Sequence, residues 1–79
     1  MDPHRRFLGA IPPHFSESEV IDAIVVHAGV RPQRVLIRNG TGESNSCFGI
    51  VRFQSSQHAS QFSEVGMQWP NGQLSPIRP

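Results

Sequence analysis

The sequence has little that could cross-link it or hold it in a membrane. Of its 79 residues only Cys47 is a cysteine, which excludes a disulfide framework within the chain. No stretch approaches the roughly 18 apolar residues of a membrane span, and the apolar run after the first six residues is too short for a signal peptide. These absences predict a soluble, intracellular protein with no membrane partner.

Lysine is absent, and the net charge is small. All the basic residues are Arg, seven against six Asp plus Glu, for a formal charge of +1. This balance excludes a polybasic protein that attracts nucleic acid or anionic lipid from a distance. Any binding of that kind would have to come from arranged side chains, and Arg both stacks on planar groups and binds phosphates bidentately.

The residues that usually perform catalysis or hold metals are few and scattered. His4, His14, His27 and His58 lie far apart in the sequence, and one Cys cannot complete a zinc site. His27 is expected at the core margin of a helix, and Cys47 is expected to be a small packing residue rather than a nucleophile. Without a Gly-rich phosphate loop or a pair of carboxylates in a cleft, the sequence predicts no cofactor, no metal and no enzymatic activity.

The length allows one small domain, spanning residues 1–79. Both ends lie close to predicted strands. We therefore expect the domain to be part of a longer protein.

Apolar patterns and turn residues predict six elements in the order β-α-β-β-α-β. The strands are predicted at residues 7–11, 35–38, 47–53 and 74–78, and Pro76 places the last at a sheet edge. The first helix has a capping box of Ser16 and Glu19 and ends at Gly29. The second starts at Ser55 or Ser56 and ends at Gly66. The apolar faces of the two helices are predicted to contain Val20, Ala23, Ile24, His27 and Ala28 in the first, and Ala59, Phe62 and Val65 in the second.

This order predicts an α+β fold of the ferredoxin-like, split β-α-β kind. Its four-stranded antiparallel sheet carries both helices on one face. The other face is then open to solvent.

Residue alternation along the strands predicts which side chains lie on the open face. In the third strand Phe48, Ile50 and Arg52 point outward, whereas Cys47, Gly49, Val51 and Phe53 point toward the helices. In the first strand Leu8 points inward, and Phe7 and Gly9 outward. These strands are neighbours in the predicted topology, so Phe7 and Phe48 should lie side by side with Arg52 close by. Exposed aromatic rings beside Arg on a sheet form a stacking platform for unpaired bases.

The sequence resembles an RNA recognition motif (RRM) over nearly its whole length. Residues 6–12 (RFLGAIP) resemble the family's hexamer motif with its following proline, and residues 46–53 (SCFGIVRF) resemble its octamer. Residues 38–44 (RNGTGES) are similar to the Thr-Gly loop that often precedes the octamer.

The resemblance implies roles for three aromatic residues. Phe7 would stack on one base, Phe48 would pack on a neighbouring base or between two sugars, and Phe53 would belong to the core.

The sequence also departs from the RRM pattern at several positions. Ser46 replaces the basic residue that leads the octamer, Cys47 replaces a Gly, and Ile50 replaces an aromatic. Arg6 occupies a position that is normally aliphatic, so either the strand frays there or its register is displaced. With two of three stacking aromatics retained, we expect weak RNA binding, about micromolar or poorer, corresponding to about 8 kcal/mol or less.

Two functions follow as expectations. The first is binding of single-stranded RNA as part of an mRNA-processing or RNA-regulatory factor, with contacts from Phe7, Phe48, Ile50, Arg52, Arg38 and Arg78. The second is a protein-interaction module of the same fold, within a ribonucleoprotein complex. Trp69 is a candidate partner contact. Extension of the base platform is a second alternative, and packing over the small core is the commoner role for such a residue.

Overall fold

The computed structural model describes residues 2–39 and 47–79. Residues 40–44 of the segment that is similar to the Thr-Gly loop, and Ser46, lie outside these residues. The fold is α+β, with two helices and a four-stranded antiparallel sheet. In chain order the elements are β1 (Arg5–Ile11), α1 (Glu17–Ala28), β2 (Arg34–Asn39), β3 (Cys47–Arg52), α2 (Ser56–Val65), β4 (Met67–Gln68), β5 (Leu74–Ser75) and β6 (Ile77–Arg78).

The helix ends are those that the sequence predicts. Glu19 N donates to Ser16 Oγ over 3.2 Å, and Ser16 N donates to the Glu19 carboxylate over 3.0 Å, so the capping box is complete. Gly29 ends α1 in the left-handed conformation, with φ of 75°. Ser55, rather than Ser56, is the N-cap of α2. No helix in the described ranges has both the length and the apolar character that crossing a bilayer requires.

The sheet has the strand order β2-β3-β1-β6 and every neighbouring pair is antiparallel. The first and third strands are neighbours, as predicted. β6, which follows Pro76, lies at a sheet edge, and this position agrees with the prediction made from Pro76. The other edge is β2, where the Val35 amide donates to the Glu17 carboxylate over 2.8 Å. Because the Val35 amide already has an acceptor, it is not free to pair with a strand of another molecule at this edge.

A β-bulge interrupts β1 between Leu8 and Ile11. Ala10 has a φ of 52° there, in the left-handed region. Strict alternation would direct Ile11 to the same face as Phe7. With the bulge, Ile11 instead lies in the core with no exposed surface.

The C-terminal segment differs from the prediction of one strand at residues 74–78. Pro76 divides it into β5 and β6, which belong to different sheets. β5 pairs with β4 in a two-stranded hairpin that the sequence analysis did not predict, because two-residue strands are too short to give an alternation pattern.

One hydrophobic core joins one face of the four-stranded sheet to both helices and to the β4–β5 hairpin. Leu8, Gly49, Val51 and Phe53 point into it, as residue alternation predicts, and Cys47 packs against its margin. Its fully buried residues include Phe62 and the largest side chain in the protein, Trp69.

Two residues predicted on the apolar helix faces lie outside the core. His27 is exposed, because the buried stripe of α1 follows the four-residue steps Val20, Ile24 and Ala28. Val65 is 48% exposed at the end of α2, and Met67 provides the next buried side chain.

Arg6 neither frays the strand nor displaces its register. It pairs with Val51 within the β1–β3 ladder. Its guanidinium donates to Ser63 Oγ on α2 over 2.8 Å and to the backbone oxygens of Pro3 and Arg5. The aliphatic part of an Arg side chain can cover apolar surface while its charged end stays hydrated, so the position tolerates a basic residue.

Candidate nucleic-acid interface

The face of the four-stranded sheet opposite the helices, here called the outer face, carries side chains in rows that cross the strands. In the β2-β3-β1 direction the first row is Arg34, Arg52 and Arg5, here called the arginine row. The second row is Leu36, Ile50 and Phe7, and it continues onto β6 with Arg78. In the third row Arg38 lies opposite Phe48.

Phe7 and Phe48 are both exposed, as predicted, with 41% and 40% of their surface accessible. They line one open depression of about 600 Å³ together with Gly9, Pro76 and Arg78. The two rings therefore flank a shared space that is accessible from solvent. A Phe ring whose face is exposed can stack on a nucleic-acid base.

Gly9 lets the C-terminal segment approach this depression closely. Its amide donates to the Pro76 carbonyl oxygen over 2.9 Å. A Cβ at this position would lie 2.9 Å from Pro76 Cγ, which is closer than such atoms normally approach. Because residue 9 has no side chain, Pro76 and Arg78 can lie beside the two rings.

Arg52 does not line the depression of the two rings. It lies in the neighbouring row, one two-residue step along the strands from Ile50 and Phe7. Ile50 separates it from Phe48 along β3, since alternate residues share a face. It lines a second, smaller depression of about 150 Å³ with Arg5, Arg34, Leu36 and Ile50. Ile50 is half-buried and lies between Phe48 and Arg52 on the outer face of β3.

Arg5 and Arg34 were not predicted from the sequence as site residues. Arg5 precedes Phe7 by two residues in β1, so its side chain lies on the same face of the strand. This alternation would have been enough to predict Arg5 as an outer-face residue. Arg34 precedes the predicted second strand by one residue. Only the register, which pairs Arg52 with Arg34 on one side and Arg5 on the other, brings the three together.

Two carboxylates lie beside the arginine row. Glu17 accepts from Arg34 Nε over 2.8 Å, and Asp2 lies 3.6 Å from Arg52. The hydrogen bond from the Val35 amide, followed by the one from Arg34, lowers the pKa of Glu17. The hydrogen bond from the His4 amide is the main reason that the pKa of Asp2 is lowered, and the charge of Arg52 contributes. Both groups are consequently anionic at neutral pH.

Charge is separated between the two sides of the molecule. Five of the seven arginines are on the outer face, whereas four of the six acidic residues are on α1 and α2. The outer-face arginines are Arg5, Arg34, Arg38, Arg52 and Arg78, and the helical acids are Glu17, Glu19, Asp22 and Glu64. The formal charge of +1 thus conceals an outer face rich in arginine. Glu17 belongs to α1 but bonds to Arg34 at the edge of that face.

The remaining predicted site residues have separate positions. Arg38 is exposed near the end of β2, and Arg78 lies opposite Phe7 on β6. Trp69 is only 2% exposed and packs edge-on against Phe15, with ring centroids 5.2 Å apart. This placement agrees with the prediction that Trp69 covers the core, and it leaves no exposed ring for the alternative of a partner contact.

No three His, Cys, Asp or Glu side chains within residues 2–39 and 47–79 are grouped so that they could hold a metal ion. Comparison with protein-family models and with curated proteins gave no match to this chain.

Proposed function

We propose that this chain is a ferredoxin-like domain of the RNA recognition motif class that binds single-stranded RNA on its outer face. The observation that carries the proposal is the pair Phe7 and Phe48, exposed on neighbouring strands around one depression with Arg78. The strand order β2-β3-β1-β6 and the two helices support the fold assignment. The β4–β5 hairpin is an addition to the six-element pattern.

The two rings would each stack on a base, and the arginines around them would contact phosphates or base edges. Stacking on an aromatic side chain contributes about 1–3 kcal/mol per base and does not depend on the net charge of the protein. Ile50 and Leu36 offer apolar surface in the same row as Phe7 but no aromatic face. Binding should therefore be of moderate or low affinity and depend mainly on Phe7 and Phe48.

The test is titration of the protein with a six-nucleotide oligouridine while backbone amide signals are recorded. Phe7→Ala and Phe48→Ala should each weaken binding by about 5- to 150-fold, the factor that corresponds to one lost stacking contact. Both side chains are exposed, so both variants should keep the fold of the parent, which circular dichroism checks.

Val26→Ala is the matched control, since Val26 is an apolar residue on α1 with 87% of its surface exposed. It should bind the RNA as the parent does. An unchanged affinity in Phe48→Ala, or signal changes confined to α1 and α2, would contradict the proposal. The second of these results would place the RNA contacts on the helices instead of the outer face. Absence of any RNA binding would favour the alternative function, a protein-interaction module of the same fold.

A further inference from the structure

The arginine row lowers the stability of the sheet, because it places three positive charges on adjacent strands. Arg52 lies directly opposite Arg34 on one side and Arg5 on the other. Residues directly opposite in antiparallel strands have Cβ atoms about 4.5–5.5 Å apart, and like charges in such pairs destabilise the sheet. Sheet stability therefore gives no reason for three arginines across three adjacent strands.

The two nearby carboxylates offset part of this repulsion. Glu17 is bound to both Arg34 and the Val35 amide, so it is held by two hydrogen bonds. Asp2 has a looser contact with Arg52, at 3.6 Å. Arg5 has no carboxylate within ion-pair distance in the described part of the chain. The row therefore retains positive charge that a further anion could neutralise.

The space between these side chains has the composition of a nucleotide-phosphate site. Arg5, Arg34 and Arg52 surround a depression of about 150 Å³ whose other lining residues are Leu36 and Ile50. Guanidinium groups bind phosphate oxygens through paired N–H donors. Leu36 and Ile50 can cover the apolar side of an attached sugar or base. The neighbouring row contains Phe7, about 7 Å away along the strand for a two-residue step.

From this geometry we infer that the arginine row is a phosphate-binding site, which holds a backbone phosphate of the RNA next to the base on Phe7, and that Asp2 competes for the same arginines. The identity of the ligand rests on the proposed function. The site for the anion rests only on the arrangement of the arginines. The two can therefore fail separately.

The first measurement is the salt dependence of oligouridine binding in Arg5→Gln/Arg52→Gln, with Arg34 left in place because it bonds to Glu17. Loss of one phosphate contact should make the slope of log K against log salt less negative by about 0.7. At low salt the dissociation constant should rise about tenfold. Arg31→Gln is the control, since Arg31 is paired with Asp22 on the helix side, and it should leave both values unchanged.

The second measurement uses inorganic pyrophosphate without RNA. Saturable shifts of the Arg5, Arg34 and Arg52 amide signals are expected. Asp2→Asn should tighten pyrophosphate binding by about two- to fivefold, the factor for an exposed ion pair, whereas the control Glu64→Gln on α2 should not.

The outcomes separate the two proposals. RNA binding with an unchanged salt slope in the double variant, or no pyrophosphate shifts at the arginine row, would overturn the phosphate site and leave the proposed function standing. Pyrophosphate binding at the row without any RNA binding would support the anion site and contradict the proposed function.

Discussion

At the scale of single residues, Trp69 and Ser75 connect the hairpin to the main sheet. The indole N–H of Trp69 donates to Ser75 Oγ, and the Ser75 hydroxyl donates to the Ala10 carbonyl oxygen over 3.2 Å. Ala10 is the bulge residue of β1, so one buried hydroxyl joins the hairpin to the strand that carries Phe7. Buried polar groups need such partners, because an unpaired one costs about 1–3 kcal/mol.

Ser75→Ala should destabilise the protein by about 1–3 kcal/mol, since it leaves the buried indole N–H without its acceptor. Urea denaturation followed by Trp69 fluorescence measures the effect. Ser60→Ala is the control, because Ser60 is exposed on α2. Equal stabilities for the two variants would show that the bond between Trp69 and Ser75 contributes little.

At the scale of elements, Glu17 connects the first turn of α1 to the edge strand β2. Its carboxylate accepts from both the Arg34 side chain and the Val35 backbone amide, each over 2.8 Å. These bonds are stronger with the ionised carboxylate than with the neutral acid, and they lower its pKa. Glu19, which completes the capping box, has a lowered pKa because of its bonds with Ser16.

A carboxyl group whose pKa is lower in the folded state stabilises the fold above its unfolded pKa, and this contribution is lost as the pH falls through the folded pKa. The protein should therefore be less stable at pH 3 than at pH 7, with the decline beginning below about pH 5. Glu17→Gln should lower the urea midpoint at pH 7 but show a smaller further loss at pH 3. Glu64→Gln should follow the parent at both values, and the same behaviour in Glu17→Gln would refute this role.

At the scale of the whole molecule, one core serves both helices, the four-stranded sheet and the hairpin. Phe53 of the sheet side lies against Phe62 of α2, with ring centroids 5.3 Å apart, and Trp69 of the hairpin segment lies against Phe15 before α1. A small domain with one shared core is expected to unfold as a unit.

Urea unfolding should therefore give one transition, with the same midpoint for Trp69 fluorescence and for helical circular dichroism. Trp69 reports the hairpin, and the dichroism reports α1 and α2. Loss of the fluorescence signal at a clearly lower urea concentration would mean that the hairpin is a separate, weaker unit.

Most of the local structure could be predicted from the sequence. Ser16 with Glu19, Gly29 and Gly66 mark helix ends through short-range hydrogen bonds and backbone preferences, which depend only on nearby residues. Alternation in β3 identified Phe48 and Arg52 as outward residues, because side chains in an extended strand change face at every step. The exposure of Phe7 followed in the same way.

Contacts between residues that are distant in the chain depend on the packing of the whole molecule. The bulge at Ala10 returns Ile11 to the core, and strand alternation alone did not predict it. Trp69 is buried in the shared core, where it contacts Phe15 and donates to Ser75, two residues far from each other in the chain. The arginine row exists because strand register, set by the packing of the whole core, aligns Arg34, Arg52 and Arg5. A charge total does not reveal this arrangement, since it contains no information about which face each charge occupies.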